Sequence, residues 1–99
     1  MLDELKLIEA VAPDILAVLQ ERFKILQNIY WMQPIGRRNL AESLALTERV
    51  LRSETDTLKK LQLINADKSG MTLTAKGEEV YNSLGKIMDQ LFGMHQLEK

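Results

Sequence analysis

Ninety-nine residues make one domain, large enough for a modest hydrophobic core and too small to hold a separate ligand-binding domain as well. A hydrophobic content of 45% and a charged content of 27% are those of a soluble globular protein, and the absence of cysteine excludes disulfides and thiolate metal sites. The net charge is −1. No apolar run approaches the roughly 20 residues a bilayer span needs, and Met1-Leu-Asp-Glu-Leu-Lys6 has acids where a signal peptide carries bases, so the cytoplasm is the expected location.

A first helical stretch places Leu2, Leu5, Ile8 and Ala12 at helical spacing. Pro13-Asp14 reads as a helix start, because proline lacks only the N–H that a first-turn residue need not donate. The same proline is also compatible with a kink in one continuous helix. Beyond it Ile15, Leu16, Leu19, Phe23, Leu26 and Ile29 form a wide apolar stripe to about Met32. Tyr30, Trp31 and Met32 close that stripe as packing residues. Gln33-Pro34 ends it, since the residue before proline avoids the α region.

After Gly36 a short helix over about 37–45 turns Leu40, Ala41 and Leu44 inward. Leu46 packs in the following turn, and Thr47 caps a helix over about 48–61 through its hydroxyl. Leu51, Thr55, Leu58 and Leu61 or Gln62 are expected to face the core, with Val50 at the margin. Leu63–Asp67 and Met71–Leu73 read as short strands around Lys68-Ser69-Gly70, where glycine permits the positive φ of a hairpin turn. Thr74 caps a last helix over about 75–96, along which Val80, Leu84, Ile87, Leu91 and Met94 repeat at spacings of 4, 3, 4 and 3, a coiled-coil seam. The order over 35–77 is that of a winged helix-turn-helix, so the expected fold is mainly α with a small β-hairpin and extra N- and C-terminal helices.

That order directs attention to cations. Residues 1–33 hold three bases and five acids, a net of −2; residues 34–77 hold eight bases and five acids, a net of +3; residues 78–99 hold two bases and four acids, a net of −2. The positive charge is central, where a footprint on a polyanion would lie. Arg49, Arg52 and Ser53 share the exposed face of helix 48–61, and an arginine there can take guanine O6 and N7 with two bonds. The competing reading is a solvated face with the arginines paired to Glu48 or Asp56. Arg37 and Arg38 open the preceding helix, where the macrodipole disfavours cations and a phosphate would offset that cost. Thr47 can contact phosphate as well as cap, and Lys68 and Ser69 sit at the wing tip, where a lysine can follow the minor-groove edge or the DNA backbone, although any surface turn holds such residues. Lys59 and Lys60 read as solvated. His95 stands alone without a second metal ligand, and the carboxylates are dispersed over helix surfaces, so neither a metal site nor an enzyme is expected.

Four segments carry a resemblance that covers nearly the whole chain: Gln20-Glu-Arg-Phe-Lys-Ile-Leu-Gln27, Gln33-Pro-Ile-Gly-Arg-Arg38, Thr47-Glu-Arg-Val-Leu-Arg52 and Gly70-Met-Thr-Leu-Thr-Ala-Lys-Gly77. They resemble the N-terminal DNA-binding domain of the sorbitol-operon-regulator (SorC) type of bacterial repressors. The resemblance implies sequence-specific binding to double-stranded operator DNA and repression of a sugar or glycolytic operon. It also implies an intact protein of roughly 340 residues, whose effector domain, absent from this chain, takes a phosphorylated sugar with fructose 1,6-bisphosphate as the inducer. No cofactor is expected in the fragment itself.

The last helix has two readings, an intrachain core or pairing with a second subunit. A winged domain is expected to complete its core by about residue 84, which leaves Ile87, Leu91, Phe92 and Met94 for a homodimer contact, helped by Leu2, Leu5 and Ile8. The alternative function is a winged helix used for protein interaction or dimerisation without direct DNA readout.

Overall fold

The computed structural model describes residues 4–93, and Met94 and His95 lie outside them. Its elements follow the order α1 (Glu4–Val11), α2 (Pro13–Met32), α3 (Arg37–Leu44), α4 (Glu48–Lys60), β1 (Ile64–Asp67), β2 (Gly70–Leu73) and α5 (Ala75–Phe92). This is a winged helix-turn-helix with additional helices at both ends. Pro13 separates two helices rather than kinking one. Ala12 leaves the helical region at φ −151° and ψ 72°, and Pro13 takes the first turn of α2.

Helix α2 is the spine of the domain. Phe23, Ile25, Leu26 and Ile29 are buried along it and join Leu40 and Ala41 of α3, Leu51 and Leu58 of α4, Ile64 and Met71 of the hairpin, and Tyr81 and Met88 of α5 in one core. Each buried Leu, Ile, Phe or Met among them contributes about 1.5–3 kcal/mol on leaving water. Tyr81 stacks on Phe23 with ring centroids 5.6 Å apart and tilts against Tyr30 at 4.9 Å. Burial pushes the Tyr81 phenol above its ordinary pKa.

The turn of the helix-turn-helix is a Schellman closure. Ala45 is left-handed at φ 56°, its N–H donates to the Glu42 carbonyl at 3.2 Å, and the Leu46 N–H donates back to the Ala41 carbonyl at 2.9 Å. Helix α4 ends in the same way, with Gln62 at φ 62° and the Leu63 N–H donating to the Leu58 carbonyl at 3.0 Å. This closure corrects the expectation for Leu61 and Gln62. The left-handed residue reverses the chain, so Leu61 is 46% exposed and Gln62 is exposed, while Leu63 enters the core at 8%.

Strands β1 and β2 pair antiparallel with Ile64 opposite Leu73 and Asp67 opposite Gly70. Ile35 adds a third, one-residue strand: its N–H and carbonyl exchange hydrogen bonds with Met71 at 3.1 and 2.8 Å. Gly70 has φ 126°, and a Cβ there would come within 2.9 Å of the Ile35 backbone, so this glycine permits both the turn and the close approach.

The packing of α5 departs from the expected seam. Its buried line is Gly77, Tyr81, Gly85 and Met88, with Val80 and Leu84 half-buried beside it. Met88 is fully buried and Phe92 packs on the same core, so the core does not end near residue 84. The helix ends at Phe92, where Gly93 turns left-handed at φ 63°, and the expected bound of about 96 lies outside the described residues.

Candidate nucleic-acid interface

The recognition helix is held from behind and open in front. On its inner side Leu51, Thr55 and Leu58 are buried, and Glu54 accepts from the Arg22 Nε at 3.0 Å across to α2. That pair is only partly exposed, at 33% and 22%, and ties α4 to the spine. At the start of α4 the Thr47 Oγ1 accepts from the Val50 N–H at 3.1 Å, the expected cap. Helix α3 is tied back to α2 through the Ser43 hydroxyl, which donates to the Asn28 Oδ1 at 2.8 Å.

Thr47, Arg49, Arg52 and Ser53 are exposed on the outer side. The competing reading, in which the arginines pair with their own helix, is not realised among the described residues. Asp56 lies 3.5 Å from the Lys59 Nζ, while Glu48, Arg49 and Arg52 form no ion pair. With Arg37 these three residues line a cleft of about 320 Å³ between the starts of α3 and α4. The Arg37 Nε is buried in the fold without a hydrogen-bond partner.

Arg38 does not share that cleft. Its side chain is 82% exposed and its Nε lies 3.9 Å from Glu42, a loose pair one helical turn away. Such a pair is worth little, so a phosphate competes for Arg38 at small cost.

The wing differs from expectation in one respect. The Ser69 hydroxyl donates to the Asp67 Oδ1 at 2.6 Å and its N–H donates to the same oxygen at 2.8 Å, which holds the Asp67 carboxyl below its ordinary pKa. A hydroxyl has one proton, so Ser69 in this arrangement has none for a phosphate, and exposed Lys68 is the cation left at the tip. The wing itself is anchored by the Gln33 Oε1, which accepts from the Leu73 N–H at 2.9 Å.

Of the residues set aside for dimerisation, Phe92 packs on the domain's own core, Leu91 is half-buried and Ile87 is 46% exposed, while Met94 lies outside the described residues. Sequence reasoning did not find Arg22, Glu54 or Gln33. Their partners lie 32 and 40 residues away, and no local pattern marks such a pair. Among the described residues no group of His, Cys, Asp and Glu could hold a metal ion, and no helix is long and apolar enough to cross a membrane.

A helix presented in this way beside a two-stranded wing is how winged helix-turn-helix domains offer side chains to DNA, and that is the class of this protein. Comparison with known proteins makes the class particular. Residues 18–88 match the family described as CggR N-terminal DNA binding domain, and the chain belongs to that family. It is 55% identical over 86 residues to the central glycolytic genes regulator of Priestia megaterium and 47% identical over 87 residues to that of Bacillus subtilis. These alignments cover 87% and 88% of this chain but only 25% and 26% of the relatives, so the chain spans about a quarter of their length.

Proposed function

We propose that this domain reads the operator of a sugar or glycolytic operon for a cytoplasmic bacterial repressor, with α4 in the major groove. Arg49 and Arg52 meet base edges, Arg37, Arg38 and Thr47 hold phosphates, and Lys68 adds a backbone contact from the wing. The observation that carries this reading is the cleft of Arg37, Arg49 and Arg52 without ion pairs, set between two helix N-termini in a chain of a DNA-binding family. A phosphorylated sugar, fructose 1,6-bisphosphate in this proposal, acts on an effector domain outside this chain and weakens the repression.

The test is a fluorescence anisotropy titration of the chain with duplex DNA across a salt series. Binding is expected to fall steeply with salt, and Arg38→Ala should make the log–log slope shallower by about one unit while weakening specific and random duplexes alike. Absent or salt-insensitive binding would instead favour a protein-interaction module.

The same proposal includes a homodimer through the terminal helices, because operator half-sites are read by paired heads. Leu7 at 54%, Val11 at 79%, Ile15 at 50% and Val18 at 39% exposure form an apolar strip over the α1–α2 elbow, and Ile87 is open at 46%. Val11→Asp together with Ile15→Asp is expected to leave the fold intact and lower the sedimentation-derived mass at high concentration to that of one chain. An unchanged mass in the doubly substituted chain would exclude this strip.

A further inference from the structure

We infer that Glu48 is a base-reading residue, its carboxylate accepting a hydrogen bond from the exocyclic amine of a cytosine in the major groove beside a guanine taken by Arg49 or Arg52. The inference rests on the DNA-reading function proposed above and assigns specificity within that same surface.

Glu48 is the first residue of α4, exposed, and lines the cleft with Arg37, Arg49 and Arg52. Among the described residues Glu54 pairs with Arg22, Glu42 with Arg38 and Asp56 with Lys59, whereas Glu48 takes part in no ion pair. Nor does it cap its helix: the Val50 N–H already donates to Thr47, and a capping-box carboxylate would sit at position 50, which is valine. The carboxylate is therefore free of both local uses that a glutamate at this position ordinarily has.

Its placement works against pure phosphate binding. A negative group among three arginines repels the DNA backbone and lowers affinity for every sequence alike. It becomes favourable where a donor hydrogen meets it, and among base edges in the major groove the cytosine N4 amine is the partner a carboxylate accepts from. The first residues of a recognition helix are those that reach base edges. The helix macrodipole also accommodates an acid at this end, but that effect is indifferent to base identity, which separates the two roles.

The experiment is selection from a library of duplexes randomised over two helical turns, performed with the parent chain, Glu48→Gln and Glu48→Ala, each checked for folding by circular dichroism. The parent is expected to enrich cytosine at one position adjoining a guanine. Glu48→Gln should shift that single position towards adenine, because a carboxamide pairs with adenine N6 and N7. Glu48→Ala should flatten the same position by roughly tenfold and leave the others unchanged. Both variants should bind a random-sequence duplex a few-fold more tightly than the parent. A base profile identical to the parent's in both variants, whatever the change in overall affinity, overturns the assignment. Failure of the parent to enrich any sequence overturns the DNA-reading proposal itself.

Discussion

Replacement of Gly77 by alanine is expected to destabilise the domain by more than about 3 kcal/mol, a large part of the roughly 5–15 kcal/mol that holds a domain folded. Gly77 is buried in the first turn of α5, and its N–H donates to the Thr74 Oγ1 cap at 2.9 Å. A Cβ at this position would overlap the carbonyl of Leu63. That carbonyl already accepts from the Thr74 N–H at 3.0 Å, and Leu63 is itself part of the core. The clash sets a Cβ fixed rigidly to the helix backbone against a backbone carbonyl, with no flexible side chain to move aside. The relief available is to lift α5, which would loosen the Tyr81–Phe23 stack and the seat of Met88. Gly36→Ala is the control: no atom lies within 4 Å of its Cβ position, so a change of no more than about 1 kcal/mol is expected. Urea unfolding followed by circular dichroism measures both. A Gly77→Ala midpoint equal to the parent's would mean that α5 and Leu63 do not approach as described.

Arg52→Ala is expected to weaken the best selected duplex by about 10–100-fold and a random duplex by less than about threefold. The contrast follows from the surroundings of Arg52. It is exposed on the outer face of α4, one turn from the capped N-terminus, with no carboxylate pairing it among the described residues. Its loss therefore leaves no buried partner unsatisfied in the free protein, and stability should move by less than about 0.5 kcal/mol. What disappears is a guanidinium fork able to discriminate guanine. Arg37→Ala provides the comparison, since a phosphate ligand affects all sequences equally and its removal should lower both affinities together. Equal losses on the selected and the random duplex for Arg52→Ala would reassign that residue to the backbone.

The features legible in the residues alone are those with local causes. Thr47 and Thr74 accept from the N–H groups three residues on, as cap chemistry requires. Of the α2 stripe, Leu16, Phe23, Leu26 and Ile29 are buried and Leu19 is half-buried, whereas Ile15 is exposed and the buried Ile25 falls outside the expected stripe. Gly70 takes the positive φ expected of it as the first residue of β2, and the +3 centre falls on the helix-turn-helix and wing. The resemblance to a repressor family agrees with the family to which residues 18–88 belong.

Tertiary structure decided the rest, for a common reason: the determinants are distant partners or small rotations that no local pattern carries. A left-handed Gln62 exchanged Leu61 for Leu63 in the core. On α5 the coiled-coil spacing of Val80, Leu84, Ile87 and Leu91 concealed a packing line through Gly77, Tyr81 and Met88, because close approach to Leu63 needs a residue without a side chain. Ser69, exposed at the wing tip, donates its hydroxyl proton to its neighbour Asp67 in a hydrogen bond. The cleft itself arises because α3 and α4 begin near one another, which left Arg37 with a buried, unpartnered N–H and Glu48 unpaired among arginines. The chain's own chemistry determined that it carries a helix-turn-helix with a basic centre; only the placement of α4 against its neighbours decided which of its charges stand unpaired.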